Sequence, residues 1–324
     1  MQLIKTLECL KSQAQNLIAT IGIFDGVHLG HQATLQRIVR KANRENRQSI
    51  VITFKPHPKK IISTNNAPFL IQTSQQKLEF LEKMGINFVV EIIFDRSLSL
   101  LSPTQFFNSF LLGHGITEIH VGSNFRFGNQ RKGDYQLLKN LSKSTSIWVY
   151  EVKPIHCDDY RISSTRIRKA IRKGDIGAAA SMLGRPYEVV GTVVKGTSRG
   201  KKLGFPTANL QLHNELSPAT GVYITQVTLD SMEMNSVTNI GVRPTLPQKS
   251  DSATIPTIES HLLDFNGNLY GNFLKLRFLK YIRPEKKFES IHKLTSQIKS
   301  DISVGKCFFR EIDENKTKTS ETYC

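Results

Sequence analysis

A chain of 324 residues is too long for one comfortable core and suits two domains of ordinary size. With 39% apolar and 22% charged residues, it is expected to be globular rather than disordered. Its net charge of +17 and pI of about 9.7 give a surface that attracts polyanions, a class that holds both nucleic acid and small phosphorylated substrates such as ATP.

The first half alternates strand-like and helix-like stretches. Residues 17–24 are apolar and read as a strand, a turn over 25–30 follows, and a helix is expected over about 32–45. SIVITF at 49–54 is a second strand. A helix begins near Thr73, because Thr73 and Gln76 have capping-box spacing. Residues 87–94 form a third strand. Ser102-Pro103-Thr104-Gln105 signals another helix: a cap, a proline at the first helical position, and glutamine three residues after the cap. Two more strands are expected over 118–121 and 146–152. This β-α-β-α rhythm predicts an α/β doubly wound parallel sheet with helices on both faces.

A second style begins after Leu183. The β-rich stretches YEVVGTVV, GVYITQVTL, NSVTNIGV, TIESHLLDF and FLKLRFLKYI follow one another between Gly, Pro and Asn. Turn signals at that spacing predict a small antiparallel β-barrel. A helix over about 288–302 should close it, and the polar stretch 311–324 reads as a mobile tail. The domains are therefore drawn at 1–182 and 183–310.

Four cysteines, Cys9, Cys157, Cys307 and Cys324, lie far apart without a C-x-x-C pair. That argues against a zinc site or a disulfide framework and for free thiols in a reducing compartment. The opening MQLIKTLECLKSQAQ has no continuous apolar region, and no run approaches the length of a bilayer span. A soluble cytoplasmic protein is expected, with no membrane partner.

The strongest local signal is Gly22-Ile23-Phe24-Asp25-Gly26-Val27-His28-Leu29-Gly30-His31. It follows the first strand and opens the first helix. Ligands of open α/β sheets bind at the C-terminal ends of strands, where free N–H groups and the helix dipole favour phosphate. Gly26 and Gly30 let the backbone approach closely. His28 and His31, three apart, both reach one phosphate if the helix starts between them. Two imidazole donors suit a phosphoryl group gathering negative charge, and a bound phosphate needs no side-chain nucleophile to attack ATP. Late in the same half, Arg161-Ile162-Ser163-Ser164-Thr165-Arg166-Ile167-Arg168 is a second phosphate-holding helix start. Ser164 or Thr165 caps it, and Arg168 adds a charge-assisted contact one turn on.

H-x-G-H after a first strand resembles the nucleotidyltransferase superfamily. With Thr53-Phe54-Lys55-Pro56-His57-Pro58 and Gly122-Ser123-Asn124-Phe125-Arg126-Phe127-Gly128, it resembles the FMN adenylyltransferase domain of bacterial bifunctional FAD synthetases. That likeness implies that His28, His31, Asn124, Arg161, Ser164, Thr165 and Arg168 line an ATP and FMN site, and Gly22, Phe24, Asp25 and Gly26 are counted with it. Lys55 departs from the acidic or neutral residue more usual there. His57 alone reads better as a structural turn residue than as a catalyst.

The C-terminal half lacks a P-loop and protein-kinase motifs. It has Gly196-Thr197-Ser198-Arg199-Gly200-Lys201-Lys202-Leu203-Gly204-Phe205-Pro206-Thr207-Ala208-Asn209 instead. Glycines beside lysines make a loop able to cover phosphates. Thr207 and Asn209, two apart, share one face of an extended strand and suit one Mg²⁺ held together with ATP phosphates. This segment resembles the signature of riboflavin kinase. Gly221-Val222-Tyr223, Asn239-Ile240-Gly241-Val242-Arg243-Pro244-Thr245, Glu259-Ser260-His261-Leu262-Leu263-Asp264-Phe265, Leu269-Tyr270-Gly271 and Arg283-Pro284-Glu285-Lys286-Lys287-Phe288 follow in the same order. The resemblance implies a six-stranded barrel, Thr207 and Asn209 on Mg-ATP, and Glu259 as general base for the ribityl 5′-hydroxyl. Gly196, Lys202, Gly204 and Arg283 are counted with its ATP and flavin site. Lys201 stands where arginine is usual and loses the bidentate fork. The stretch 246–256 is longer and more polar than expected and reads as a flap over the flavin.

The expected function is thus riboflavin to FMN in the second half and FMN to FAD in the first, with ATP as co-substrate and Mg²⁺ in both. One rival keeps a single active half, with the other a regulatory flavin- or nucleotide-binding module. Another is a basic RNA-binding protein on degenerate enzyme folds, disfavoured by only 8% aromatic residues. No nucleic-acid partner is expected, and an oligomer is compatible with the sequence.

Overall fold

The computed structural model describes residues 1–4, 6–7, 15–63, 66–157, 160–197, 199–242 and 256–321. Cys9, Ser198, Arg243-Pro244-Thr245, the flap expected over 246–256 up to residue 255, and Cys324 lie outside the described residues. The chain divides into two units, Met1–Ser164 and Thr165–Cys324.

In the first unit the chain runs β1 (Gln2–Ile4), β2 (Leu17–Ile21), α1 (Leu29–Arg44), β3 (Ser49–Lys55), α2 (Pro58–Ile62) and α3 (Ser74–Lys83). It continues through β4 (Phe88–Ile93), α4 (Arg96–Leu100), α5 (Pro103–Phe110), β5 (Ile116–Gly122), α6 (Tyr135–Ser142) and β6 (Trp148–Val152), then a short hairpin of β7 (His156–Cys157) and β8 (Tyr160–Arg161). The six main strands pair in parallel in the order β1-β4-β3-β2-β5-β6. All five residues of β2 are buried, as parallel strands covered on both faces require. Leu17, Ala19 and Ile21 face one core with Phe106, Phe107 and Leu138. Ile18 faces the other with Leu35, Ile38 and Leu81. Both predicted capping boxes form, at Thr73/Gln76 and Ser102/Gln105. From β2 the sheet grows outward through β3 and β4, then β5 returns to the other side of β2. That reversal opens a crevice beyond the C-terminal end of β2, the usual ligand position of open α/β sheets.

The second unit opens with α7 (Ser164–Arg172), which starts at the division, and α8 (Ile176–Leu183). Then come β9 (Tyr187–Val194), α9 (Arg199–Lys202), β10 (Ala208–Leu212), β11 (Gly221–Leu229), β12 (Met232–Val242), β13 (Pro256–Leu262), β14 (Phe273–Arg283) and α10 (Ile291–Glu321). The strands close into a six-stranded antiparallel barrel in the order β10-β13-β12-β11-β14-β9. Tyr187, Tyr223 and Phe278 fill its interior, and the two hydroxyls donate to the carbonyls of Leu216 and Ala219. A second interior feature is polar. Thr225, Ser236, Thr238 and Ser260 are fully buried and joined by hydroxyl contacts of 2.6–2.9 Å, with Thr238 Oγ1 donating to Ser260 Oγ. Thr238→Val removes the donor to the buried Ser260 hydroxyl, while Thr225 keeps Ser236, and is expected to lower stability by about 1–3 kcal/mol, read from urea unfolding.

Two details differ from the sequence reading. The helix expected over 288–302 runs to Glu321 in α10, so the stretch read as a mobile tail is helical for most of its length. Its Lys and Glu residues are good helix formers, and polarity alone does not separate a solvated helix from a tail. The contact division also falls at Ser164, ahead of the expected boundary at 182, because α8 packs on β9 and β14 and buries Ile176, Ala179, Met182 and Leu183. A fragment starting at Thr165 is therefore expected to be more stable than one starting at residue 183. Each large apolar side chain of α8 contributes roughly 1.5–3 kcal/mol on burial. Equal denaturation midpoints for the two fragments would show that the barrel does not need α8.

Candidate active sites

The loop between β2 and α1 is held in an unusual shape. Phe24, Gly26 and Val27 take φ of 53°, 82° and 34°, in the left-handed region. A Cβ on Gly26 would also lie 2.9 Å from Ile71 Cδ1, so glycine is required twice over. Strain of this kind persists only where surrounding contacts over-determine the backbone. Here Ile71 N donates to Asp25 Oδ1 at 3.0 Å, Gln72 Nε2 to Phe24 O at 3.3 Å, Thr53 Oγ1 to Ile23 O at 3.2 Å, and Ser164 Oγ to Asp25 O at 3.0 Å. The last bond ties the predicted second helix start to the first across the whole unit.

The helix starts between the two histidines, as the motif requires. His28 is the N-cap of α1, and its Nδ1 accepts from His31 N at 3.3 Å. With Nδ1 an acceptor, a neutral His28 carries its proton on Nε2. The two rings stack with centroids 3.7 Å apart and 15° between planes. A Cβ on Gly30 would come within 3.2 Å of the His28 ring, so Gly30 makes room for it. His28 is buried and His31 half-buried, with Nδ1 of His31 buried and lacking a hydrogen-bond partner. Burial, and then the adjacent His28, hold the His31 imidazole well below the usual histidine range, so it is neutral at pH 7. A neutral ring still offers one N–H to a phosphate oxygen.

Asn124 sits exposed just beyond β5, where a Cβ on Gly122 would meet its Oδ1 at 3.2 Å. Arg161 is exposed on β8, with Nη2 3.5 Å from Ser123 Oγ. Gly22 ends the β2 run against the Phe24 ring. Thr165, exposed, and Arg168, buried, lie on α7 in the second unit. His57 caps α2 by accepting from Lys59 N at 3.1 Å, in keeping with its reading as a turn residue. The holding residues Ile71 and Gln72 were not picked out in the sequence, because neither belongs to a phosphate-binding pattern, and Thr53 was quoted only as part of a motif.

In the barrel, Asn209 on β10 and Asn239 on β12 both pair in register with Glu259 on β13. Three polar side chains thus share one row across three strands, on the outer face, while Ser260 and Thr238 beside them point inward to the hydroxyl chain. Asn239 was visible only as part of a longer motif; strand pairing brings it to the row. Thr207 stands just before β10, with Gly200 packed against its side chain. Gly196 lies so close to the Asn209 amide that any Cβ would collide with it. The Gly-rich loop is therefore seated on the row, and Pro206 O is tied to His261 Nδ1 at 2.8 Å. Gly204 takes φ of 84° in open space, and Lys202 is exposed at the end of α9. A Cβ on Gly241 would strike the Glu285 carboxylate, which brings that group beside Asn239. Arg283 makes a bidentate pair with buried Asp301 of α10, at 2.9 and 2.7 Å, so its guanidinium clamps the helix to the barrel.

Among the described residues no group of three His, Cys, Asp or Glu side chains is placed to hold a metal. Thr207, Asn209 and Glu259 supply hard oxygens instead, a donor set that fits Mg²⁺ arriving with nucleotide phosphates.

The FAD synthetase family matches residues 10–166, and the riboflavin kinase family matches residues 183–309. Sheet and barrel together thus make a two-part transferase of flavin cofactor synthesis. The bifunctional riboflavin kinase/FMN adenylyltransferase of Haemophilus influenzae is 36% identical over 95% of this chain and 99% of its own length. The enzymes of the same description from Escherichia coli K12 and Bacillus subtilis are each 34% identical, covering 95% and 90% of this chain and 98% and 92% of their own. The chain belongs to this bifunctional family: it phosphorylates riboflavin to FMN and adenylylates FMN to FAD, with flavins and ATP as substrates. A crystal structure titled as a macrolide-efflux protein from Streptococcus pneumoniae superposes with a TM-score of 0.84 at 28% identity, over 94% of this chain and 98% of that one. No helix among the described residues is long and apolar enough to cross a membrane.

Proposed function

We propose a division of labour in which the loop over 22–31 carries FMN adenylylation and the Asn209–Glu259–Asn239 row carries riboflavin phosphorylation. The observation that carries it is that His28 and His31 open α1 within the first unit, while Asn209, Glu259 and Asn239 share one row of the barrel in the second.

In the first unit, a phosphate oxygen of FMN attacks the α-phosphorus of ATP, the new P–O bond forms, and pyrophosphate leaves. His28 through Nε2–H and the neutral His31 donate to the phosphoryl oxygens as charge builds on them. Asn124, Arg161 and Ser164 bind around them, and Thr165 and Arg168 are assigned to ATP by the same reading. In the barrel, the ribityl 5′-oxygen attacks the γ-phosphorus of ATP, Glu259 accepts the hydroxyl proton, and ADP leaves. Thr207 and Asn209 would hold Mg²⁺ with the ATP phosphates, where it neutralises their charge. Gly196, Lys202 and Gly204 cover those phosphates. Arg283 acts at one remove, by holding α10. We assign both steps to the cytoplasm, where ATP is at hand.

Incubation of the whole chain with riboflavin and Mg-ATP, followed by separation of the flavins, should show FMN and then FAD. Variants in one loop that abolish both steps equally, while folded, would sink the division.

A further inference from the structure

Beneath the strained loop of the first unit lies a buried cation that the chemistry above does not use. Lys77, on α3, is only 7% exposed, an unusual place for a lysine. Its Nζ is 3.1 Å from Glu91 Oε1 on β4 and donates to Thr53 Oγ1 on β3 at 3.2 Å. Thr53 is fully buried and passes the chain on, donating to Ile23 O in the loop. Glu91 also accepts from Ser74 Oγ, at the start of α3, at 2.9 Å. Asp25 lies near enough for its charge to act on Lys77. One ammonium thus links the C-terminal ends of β3 and β4 to the backbone one residue before Phe24, where the left-handed run begins.

We propose that Lys77 is a positioning residue for adenylylation, fixing through Thr53 the loop that aims His28 and His31. The proposal rests on the assignment of adenylylation to that loop. A buried ion pair is a poor source of net stability, since a well-packed apolar pair serves as well or better. It does fix geometry, and a misplacement of about 1 Å at a reacting centre costs about 10²-fold in rate. Among the described residues Lys77 is hydrogen-bonded to Thr53 and not to the histidines, so its effect should appear in kcat for FAD formation and little in KM.

Four variants of the full chain test this: Lys77→Met, Glu91→Leu combined with Lys77→Met, Thr53→Val, and His28→Ala as reference. Each is assayed for Tm, for FMN from riboflavin, and for FAD from FMN. Lys77→Met is expected to lower Tm, because it leaves the Glu91 carboxylate unpaired. The double variant should regain Tm while its FAD-forming kcat stays down by about 10²-fold. Thr53→Val, which keeps the ion pair but cuts the link to Ile23, should lower the same kcat by at least about tenfold. FMN formation should be unchanged throughout. Recovery of FAD turnover along with Tm in the double variant would overturn the proposal, as would full FAD turnover in Thr53→Val or a parallel fall in FMN formation. If His28→Ala itself makes FAD normally, the assignment of the loop has failed. Dead His28→Ala beside active Lys77 and Thr53 variants sinks the Lys77 proposal alone.

Discussion

His28→Ala is expected to lower FAD formation by about 10²–10³-fold, the cost of one preorganised donor to a charge-gathering phosphoryl group. FMN made from riboflavin should then accumulate. The ring is buried, stacked on His31, and caps α1, so alanine also removes a helix cap worth roughly 1 kcal/mol. That second loss is why His28→Asn belongs in the same experiment. Asparagine caps as well as any residue but does not place a donor where Nε2 stands. It should regain Tm and remain deficient in FAD formation. His31→Ala leaves the cap and removes the neutral ring, and it should show the same block. The measurement is chromatographic: FMN and FAD over time from riboflavin, then from FMN. A folded His28→Asn variant that makes FAD at the normal rate would reduce the histidine to a cap.

Much of this was legible in the chain because local chemistry announces itself. The capping boxes at Thr73 and Ser102 were read from three-residue spacings, and β2 from a mostly apolar run. The histidine pair was legible for the same reason: helix geometry alone sets residues three apart on one side. What stayed hidden depends on pairing between distant segments. The edge strand β1 has three residues and becomes a strand only by lying against β4. Asn239 joins Glu259 and Asn209 through the register of β12 and β13, which the inward hydroxyls of Thr238 and Ser260 help to fix. Arg283 was counted with the ATP and flavin site through the motif it opens. Its partner Asp301 lies on the following helix, and only the fold reveals the clamp.

The same separation governs the other reaction. Glu259→Gln preserves shape and hydrogen bonding but cannot accept the proton of the ribityl hydroxyl. It is expected to lower kcat for FMN formation by about 10²–10⁴-fold, the range for a positioned general base. Flavin binding and Tm should hardly change, since Glu259 is half-buried on the outer face, apart from the packed interior of Ser260 and Thr238. Asn209→Ala differs in kind. It removes an amide seated under Gly196 and a hard oxygen for Mg-ATP, so it should raise the KM for ATP as well as lower turnover. FMN supplied directly should restore FAD formation in both variants, because adenylylation is assigned to the first unit. These outcomes separate three roles for the row. A base loses kcat alone, a metal-side ligand loses both parameters, and a solvated strand residue loses neither and shifts stability by less than about 0.5 kcal/mol. Wild-type FMN formation in Glu259→Gln would remove the carboxylate from the mechanism. The Glu285 carboxylate, which like the Asn239 amide lies close to Gly241, is then the next group to examine as base.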